Sequence, residues 1–212
     1  MISTKLPKLY IADASGLMHP FVIQKNLHRV SEFRQDKIKK YRFIRDQALS
    51  FGTELLLLDG LQQMGCRLNH ISSHIRYNDF GKPYLIDRNI YFNFSHSYQF
   101  ILGIFACSEV GCDIERMKEP DSDIVNAFFG PFEQDLYMNA PSNKKTEIFY
   151  QVWTMRESFL KTIGCGLIDP VPIFSTVSDD GLYVPVLTYK NRVFWGQHGI
   201  FHDYAYAWWS EV

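Results

Sequence analysis

The chain has 212 residues, 46% of them hydrophobic and 16% aromatic, with a formal net charge of −1. That length buries a sizeable core in one large domain or two small lobes, and the lack of low-complexity stretches excludes a disordered or fibrous chain. No signal-peptide core opens the sequence, no apolar run spans a bilayer, and Cys66, Cys107, Cys112 and Cys165 form no CxxC pair, so a cytoplasmic protein with reduced thiols and no membrane partner is expected.

In chain order, KLYIADAS alternates as an edge strand does, and Ser31 caps a helix expected to run through Tyr41. Residues 34–45, RQDKIKKYRFIR, hold six bases and one acid, a local charge of +5 against −6 for the remainder. Such a window is either a docking place for an anion or the solvated face of a helix. A second helix follows, with Ala48, Phe51, Leu55 and Leu58 on its apolar face and Gly60 or Gly65 at its end. NDFGKPYLI reads as a turn and a short strand. IYFNFSHSYQFILGIFAC reads as an antiparallel pair, extended past residues 108 and 109 by a further strand ending at Glu115. DSDIVNAFFGPFEQDLYMNA and KTEIFYQVWTMRESFLKTIGCGL return to helical spacing, and the remainder is a strand meander with turns near YKNR and GQHG. Each half therefore supplies a long helix followed by strands. This order predicts an α+β fold of two similar lobes related by a pseudo-twofold, each a long helix on an antiparallel sheet. The lobes are expected at residues 1–109 and 110–212, with the active site in the cleft between them.

The chemistry concentrates in a few short stretches. In GCDIERM, Asp113 and Glu115 project from one face of a strand while Val110, Cys112 and Ile114 project from the other. Paired carboxylates either sit on a solvated strand end or hold a hard divalent cation between them. In WTMRESFLK, Glu157 and Lys161 share a helix face, as an ordinary i,i+4 pair or as part of a site, and Arg156 lies about 100° round the helix. FGKPYL lacks the first glycine and the Ser or Thr of a phosphate-binding P-loop, but Lys82 beside Pro83 still presents a point charge to a phosphate. Ser95 and His96 in FNFSHS point to opposite faces of a strand, which excludes a Ser-His couple and leaves a ligand contact or a satisfied core histidine.

FGKPYL, FNFSHS, GCDIE, FFGPFE and WTMRESFLK stand in the order and approximate spacing of GKP, FNxSHS, GxDIE, FFxxxE and WxxKE(S/A)xxK. Over residues 34 to 167 the chain resembles the Sfp-type, two-lobed 4'-phosphopantetheinyl transferases. The resemblance implies Mg2+-dependent transfer of 4'-phosphopantetheine from coenzyme A to a serine of an apo acyl or peptidyl carrier protein, releasing adenosine 3',5'-bisphosphate. It implies Asp113, Glu115 and Glu157 as metal ligands, Glu157 also as general base, and Lys161 on the diphosphate. It implies coenzyme A contacts from Lys37, Lys40, Arg45, Lys82, Pro83, Ser95, His96 and Arg156, and a monomer. Two departures stand out. Arg156 replaces the family's lysine, and Ala48 or Leu49 occupies a position where the family often has a phosphate-binding arginine, so either Arg45 substitutes for it or that contact is absent. Three other readings compete: a Mg2+-dependent hydrolase of nucleoside diphosphate derivatives, for which RESFLKTIG lacks the required further glutamates; a nucleic-acid module on KIKKYRFIR, which the near-neutral charge disfavours; and a catalytically dead carrier-binding protein, against which all three candidate metal ligands are present.

Overall fold

The computed structural model describes residues 6–66, 73–86, 89–166 and 173–212. The chain divides into two units, Met1–Cys107 and Ser108–Val212. The first carries fourteen basic and eight acidic residues and the second eight basic and fifteen acidic, so a total near zero separates into +6 and −7.

In the first unit β1 (Lys8–Asp13) is an edge strand, followed by α1 (Pro20–Asn26) with proline in its first turn. Ser31 caps α2 (Glu32–Lys40) by accepting from the Arg34 N–H at 3.2 Å, and the helix stops one residue before Tyr41. In α3 (Ile44–Gln63), Ala48 and Phe51 are fully buried as expected. The stripe then continues through Leu57 and Leu61 rather than Leu55 and Leu58, which are half-buried. Gly60 does not end this helix. The ring of Phe105 lies where its Cβ would be, so Gly60 permits contact with the sheet, and Gly65, at φ 79°, lies just past the helix end. Asn78 builds the NDFGKP turn by accepting from the N–H groups of Phe80 and Lys82, with Gly81 at φ 81°. This turn joins β2 (Ile75–Tyr77), which sequence pattern does not reveal, to β3 (Pro83–Leu85). β4 (Tyr91–Ser97) and β5 (Phe100–Ala106) pair antiparallel, and the sheet order is β1-β5-β4. Phe92 and Phe105 meet Leu57 and Leu61 in the core beneath α3.

The second unit begins with β6 (Val110–Arg116), which does not extend the β4–β5 hairpin but pairs with the last strand of its own sheet. Helices α4 (Ser122–Phe128) and α5 (Pro131–Asn139) break at Gly130, and α6 (Ser142–Ile163) ends at Gly164 in the left-handed region. β7 (Val186–Tyr189), β8 (Arg192–Phe201) and β9 (Tyr204–Glu211) complete a sheet of order β6-β9-β8-β7. The turn after YK lies at Lys190 and Asn191, both with positive φ, as expected. No turn forms at GQHG. Gly196 and Gly199 lie inside β8 because the rings of Trp209 and Tyr206 cross them, and the chain reverses at His202 and Asp203 instead. Met155, Phe159, Phe194, Ala207 and Trp209 form the core between α6 and the sheet.

The chain is thus mixed helix and antiparallel sheet, α+β. In each unit the first strand pairs with the last, the last pairs with the one before it, and the long helix covers the sheet. Among the described residues the units differ in strand number, and the first also carries the separate two-stranded sheet β2-β3. Among the described residues no helix is long and apolar enough to cross a membrane.

Candidate active site

Alternation along β6 turns Gly111, Asp113 and Glu115 to one face, and that face meets α6. A Cβ on Gly111 would collide with the backbone nitrogen of Thr162 and the carbonyl oxygen of Ser158, so glycine lets the helix lie directly on the strand. Opposite the two acids on β9 stand Ala207 and Ala205, whose small side chains leave room above the sheet. Asp113 is 2% exposed and therefore is not part of a solvated strand end.

From α6, Lys161 donates to Asp113 Oδ1 at 2.6 Å. Burial opposes the charge on the Lys161 ammonium, but the Asp113 carboxylate outweighs it and the pKa rises. Glu157, four residues earlier and one turn away, is raised from 4.5 to about 7, first by burial, then by the negative charges of Asp113 and Glu115, with Lys161 and Arg156 pulling the other way. Its Oε1 is buried and has no hydrogen-bond partner among the described residues. Three carboxylates and one ammonium are therefore coupled where α6 crosses β6.

The donor set tests whether a metal suits this place. All three acids offer hard oxygen ligands, negative charge exceeds positive, and a buried carboxylate oxygen lacks a partner, which is the chemistry a small divalent cation satisfies. Among the described residues no group of three or more His, Cys, Asp and Glu stands ready to hold a metal. At Asp113 the counter-charge is the Lys161 ammonium.

The structure gives Arg156 different company. It is 5% exposed, and it donates to Glu133 Oε2 at 2.7 Å and to the Phe174 carbonyl at 3.1 Å, with its guanidinium 4.4 Å from the Phe174 ring centroid. Glu133, at 0% exposure, also caps α5 by accepting from the Gly130 N–H, and its Oε1 accepts from the Thr176 N–H and hydroxyl. Burial lowers the Arg156 pKa, against the support of Glu133. Sequence reasoning gave Glu133 no role, although it is the acid that ends the FFGPFE motif and stands in the first turn of a helix after Gly-Pro.

In the first unit a cavity of about 170 Å³ is lined by Arg34, Lys37, Tyr77, Gly81, Pro83 and Asn93, among others. It unites Lys37 of α2 with Pro83 of the GKP turn, which are 46 positions apart. Arg34 is tied to the buried Glu54 at 2.8 Å and to Ser50, so Lys37 is the exposed base there. Lys40 is exposed on the last turn of α2, and Arg45 is exposed with its guanidinium 5.6 Å from the Tyr98 ring centroid. Lys82 is half-buried, with its backbone N–H held by Asn78. Along β4, Ser95 is buried and His96 exposed, on opposite faces as expected. Lys40, Arg45, Lys82, Ser95 and His96 do not line the cavity. Ala48 and Leu49 are both buried in the core, so neither position presents a side chain to a ligand.

A sequence model of the 4'-phosphopantetheinyl transferase superfamily matches residues 109–208. The chain is 34% identical over 147 residues to 4'-phosphopantetheinyl transferase gsp of Aneurinibacillus migulanus, covering 68% of this chain and 60% of that protein. It is 29% identical over 154 residues to 4'-phosphopantetheinyl transferase ffp of Bacillus subtilis, covering 72% and 68%. To 4'-phosphopantetheinyl transferase Sfp of Bacillus subtilis (strain 168) it is 35% identical over 106 residues, covering 49% and 47%. The chain thus spans about half to two thirds of the length of these relatives.

Proposed function

We propose that this chain, whose residues 109–208 match the 4'-phosphopantetheinyl transferase superfamily, is a member of it and transfers 4'-phosphopantetheine from coenzyme A to a serine hydroxyl of an apo acyl or peptidyl carrier protein. The observation that carries this reading is the coupling of Asp113, Glu115, Glu157 and Lys161 where α6 crosses β6. Asp113, Glu115 and Glu157 would hold Mg2+. When bound, the ion neutralises charge on the coenzyme A diphosphate.

The remaining chemistry belongs to the chain. The serine oxygen forms a bond to the phosphorus that carries pantetheine, and the bond from that phosphorus to the bridging oxygen breaks, releasing adenosine 3',5'-bisphosphate. Glu157 accepts the serine proton, directly or through water. Lys161 steadies the charge that develops on the departing phosphate. Lys37 and Pro83, at one cavity, contact coenzyme A together with Lys40, Arg45, Lys82, Ser95 and His96. For Arg156 the reading changes from a coenzyme A contact to an anchor of α6 whose charge acts on the neighbouring Glu157. The enzyme acts as a cytoplasmic monomer, with neither nucleic acid nor membrane as a partner.

The test is direct. Incubated with Mg2+ and coenzyme A, apo-carriers gain the mass of a phosphopantetheine group, and omission of either component abolishes the gain. Cleavage of coenzyme A with every carrier left unmodified would replace this reading with the hydrolase one.

A further inference from the structure

We propose that Lys161 is a stand-in cation for the acidic site, occupying Asp113 until a divalent metal displaces it; this rests on the reading of Asp113, Glu115 and Glu157 as metal ligands. The Lys161 ammonium lies 2.6 Å from Asp113 Oδ1, so a divalent ion approaching that oxygen meets its repulsion at close range. The Asp113 side chain is only 3% exposed, so its charge needs a partner at all times. The Lys161 side chain is 28% exposed, and lysine carries its charge on a flexible four-carbon stem, so the ammonium can swing toward water without moving α6. Gly111 fixes the helix against the strand, which leaves side-chain rotation as the available adjustment.

Two consequences follow for binding. The metal must compete with an internal ammonium, which weakens its affinity for the free protein. Once displaced, Lys161 is available to an anion that arrives with the metal, so a diphosphate and a divalent ion each favour the binding of the other. The lysine thereby keeps the site neutralised without locking a metal in place before substrate arrives.

Mn2+ binding, measured by calorimetry in the absence of coenzyme A, separates the alternatives. Lys161→Met is expected to bind Mn2+ roughly 10-fold more tightly than the wild type, a typical size for coupling between sites. Lys161→Arg, which keeps the charge, is expected to stay near the wild type. Equal affinity of the Met variant and the wild type, or an Arg variant as tight as Met, would overturn the displacement while leaving the metal site standing. No Mn2+ binding by any of the three proteins would overturn the metal reading and the displacement with it. A measurement on the unmodified protein covers the case in which Lys161→Met fails to fold. Trace acetylation of Lys161, read by peptide mass spectrometry, should accelerate when Mn2+ is added, and slowing or no change would sink the proposal.

Discussion

Glu133→Gln gives a sharp test of how α6 is held. The carboxylate accepts four hydrogen bonds at 2.7 Å, from the Gly130 N–H, the Arg156 guanidinium and the Thr176 N–H and hydroxyl, and is itself 0% exposed. Glutamine keeps the shape and one acceptor, but its amide nitrogen then faces donors on Gly130 and Arg156, and a guanidinium at 5% exposure loses its counter-charge. Removing one member of a buried pair costs about 3–5 kcal/mol. For a chain of this size that corresponds to a fall in melting temperature of roughly 6–20 °C. Trp153, Trp195, Trp208 and Trp209 all lie in the second unit, so tryptophan fluorescence during urea unfolding reports that unit alone. The double replacement Glu133→Leu with Arg156→Met should recover much of the loss, because no charge is then stranded. A Glu133→Gln protein that loses less than about 1 kcal/mol would refute the anchor. A second readout isolates its effect on the site: Arg156→Met removes a charge that lowers the Glu157 pKa, so the acid limb of the pH–rate profile should move upward, whereas Glu133→Gln leaves that charge in place.

Glu157→Gln is expected to lower kcat roughly 10²- to 10⁴-fold while the fold persists, and wild-type turnover would remove Glu157 from the mechanism. In the metal-free protein the Glu157 pKa of about 7 stands above its ordinary 4.5, so its contribution to stability is complete below the lower value and is lost as pH rises to the upper. Melting curves from pH 4.5 to 7 should show this falling component in the wild type and not in Glu157→Gln; identical pH dependence in the two proteins would contradict it. Gly111→Ala drives a methyl group into the α6 backbone and should cost about 1–3 kcal/mol or more with loss of metal binding, and a neutral outcome would mean that α6 can lift from β6. Coenzyme A should be preferred over dephospho-coenzyme A, and neutralising Lys37, Lys40 or Lys82 should erode that preference roughly 10- to 100-fold through KM. Equal kcat/KM for the two donors in the wild type would make the basic window a solvated helix face.

The central site was legible because its two halves obey local periodicities. Spacing of two along β6 sets Asp113 beside Glu115, and spacing of four along α6 sets Glu157 beside Lys161. That strand and helix meet came from the family resemblance and not from local pattern, since the Lys161–Asp113 contact spans 48 positions and depends on the clearance at Gly111. Glycines were the main source of error. Gly60, Gly196 and Gly199 read locally as stops or turns, yet each lies within an element because a distant aromatic ring, from Phe105, Trp209 or Tyr206, crosses its face. The Glu133–Arg156 pair was invisible for the same reason: only the fold makes an exposed-looking acid and base a buried unit.

A chain of formal charge −1 would ordinarily be expected to meet its ligands at rates that ionic strength hardly touches. The division into a unit of +6 and a unit of −7 predicts otherwise. On the proposed function, a polyanionic donor would experience the field of the first unit and a divalent cation that of the second, each within a Debye length of about 8 Å at physiological ionic strength. Added salt therefore slows both encounters together, although neither depends on the total. The same segregation lets the protein adhere to anion and cation exchangers alike near its isoelectric point, where a uniformly mixed surface would pass through both.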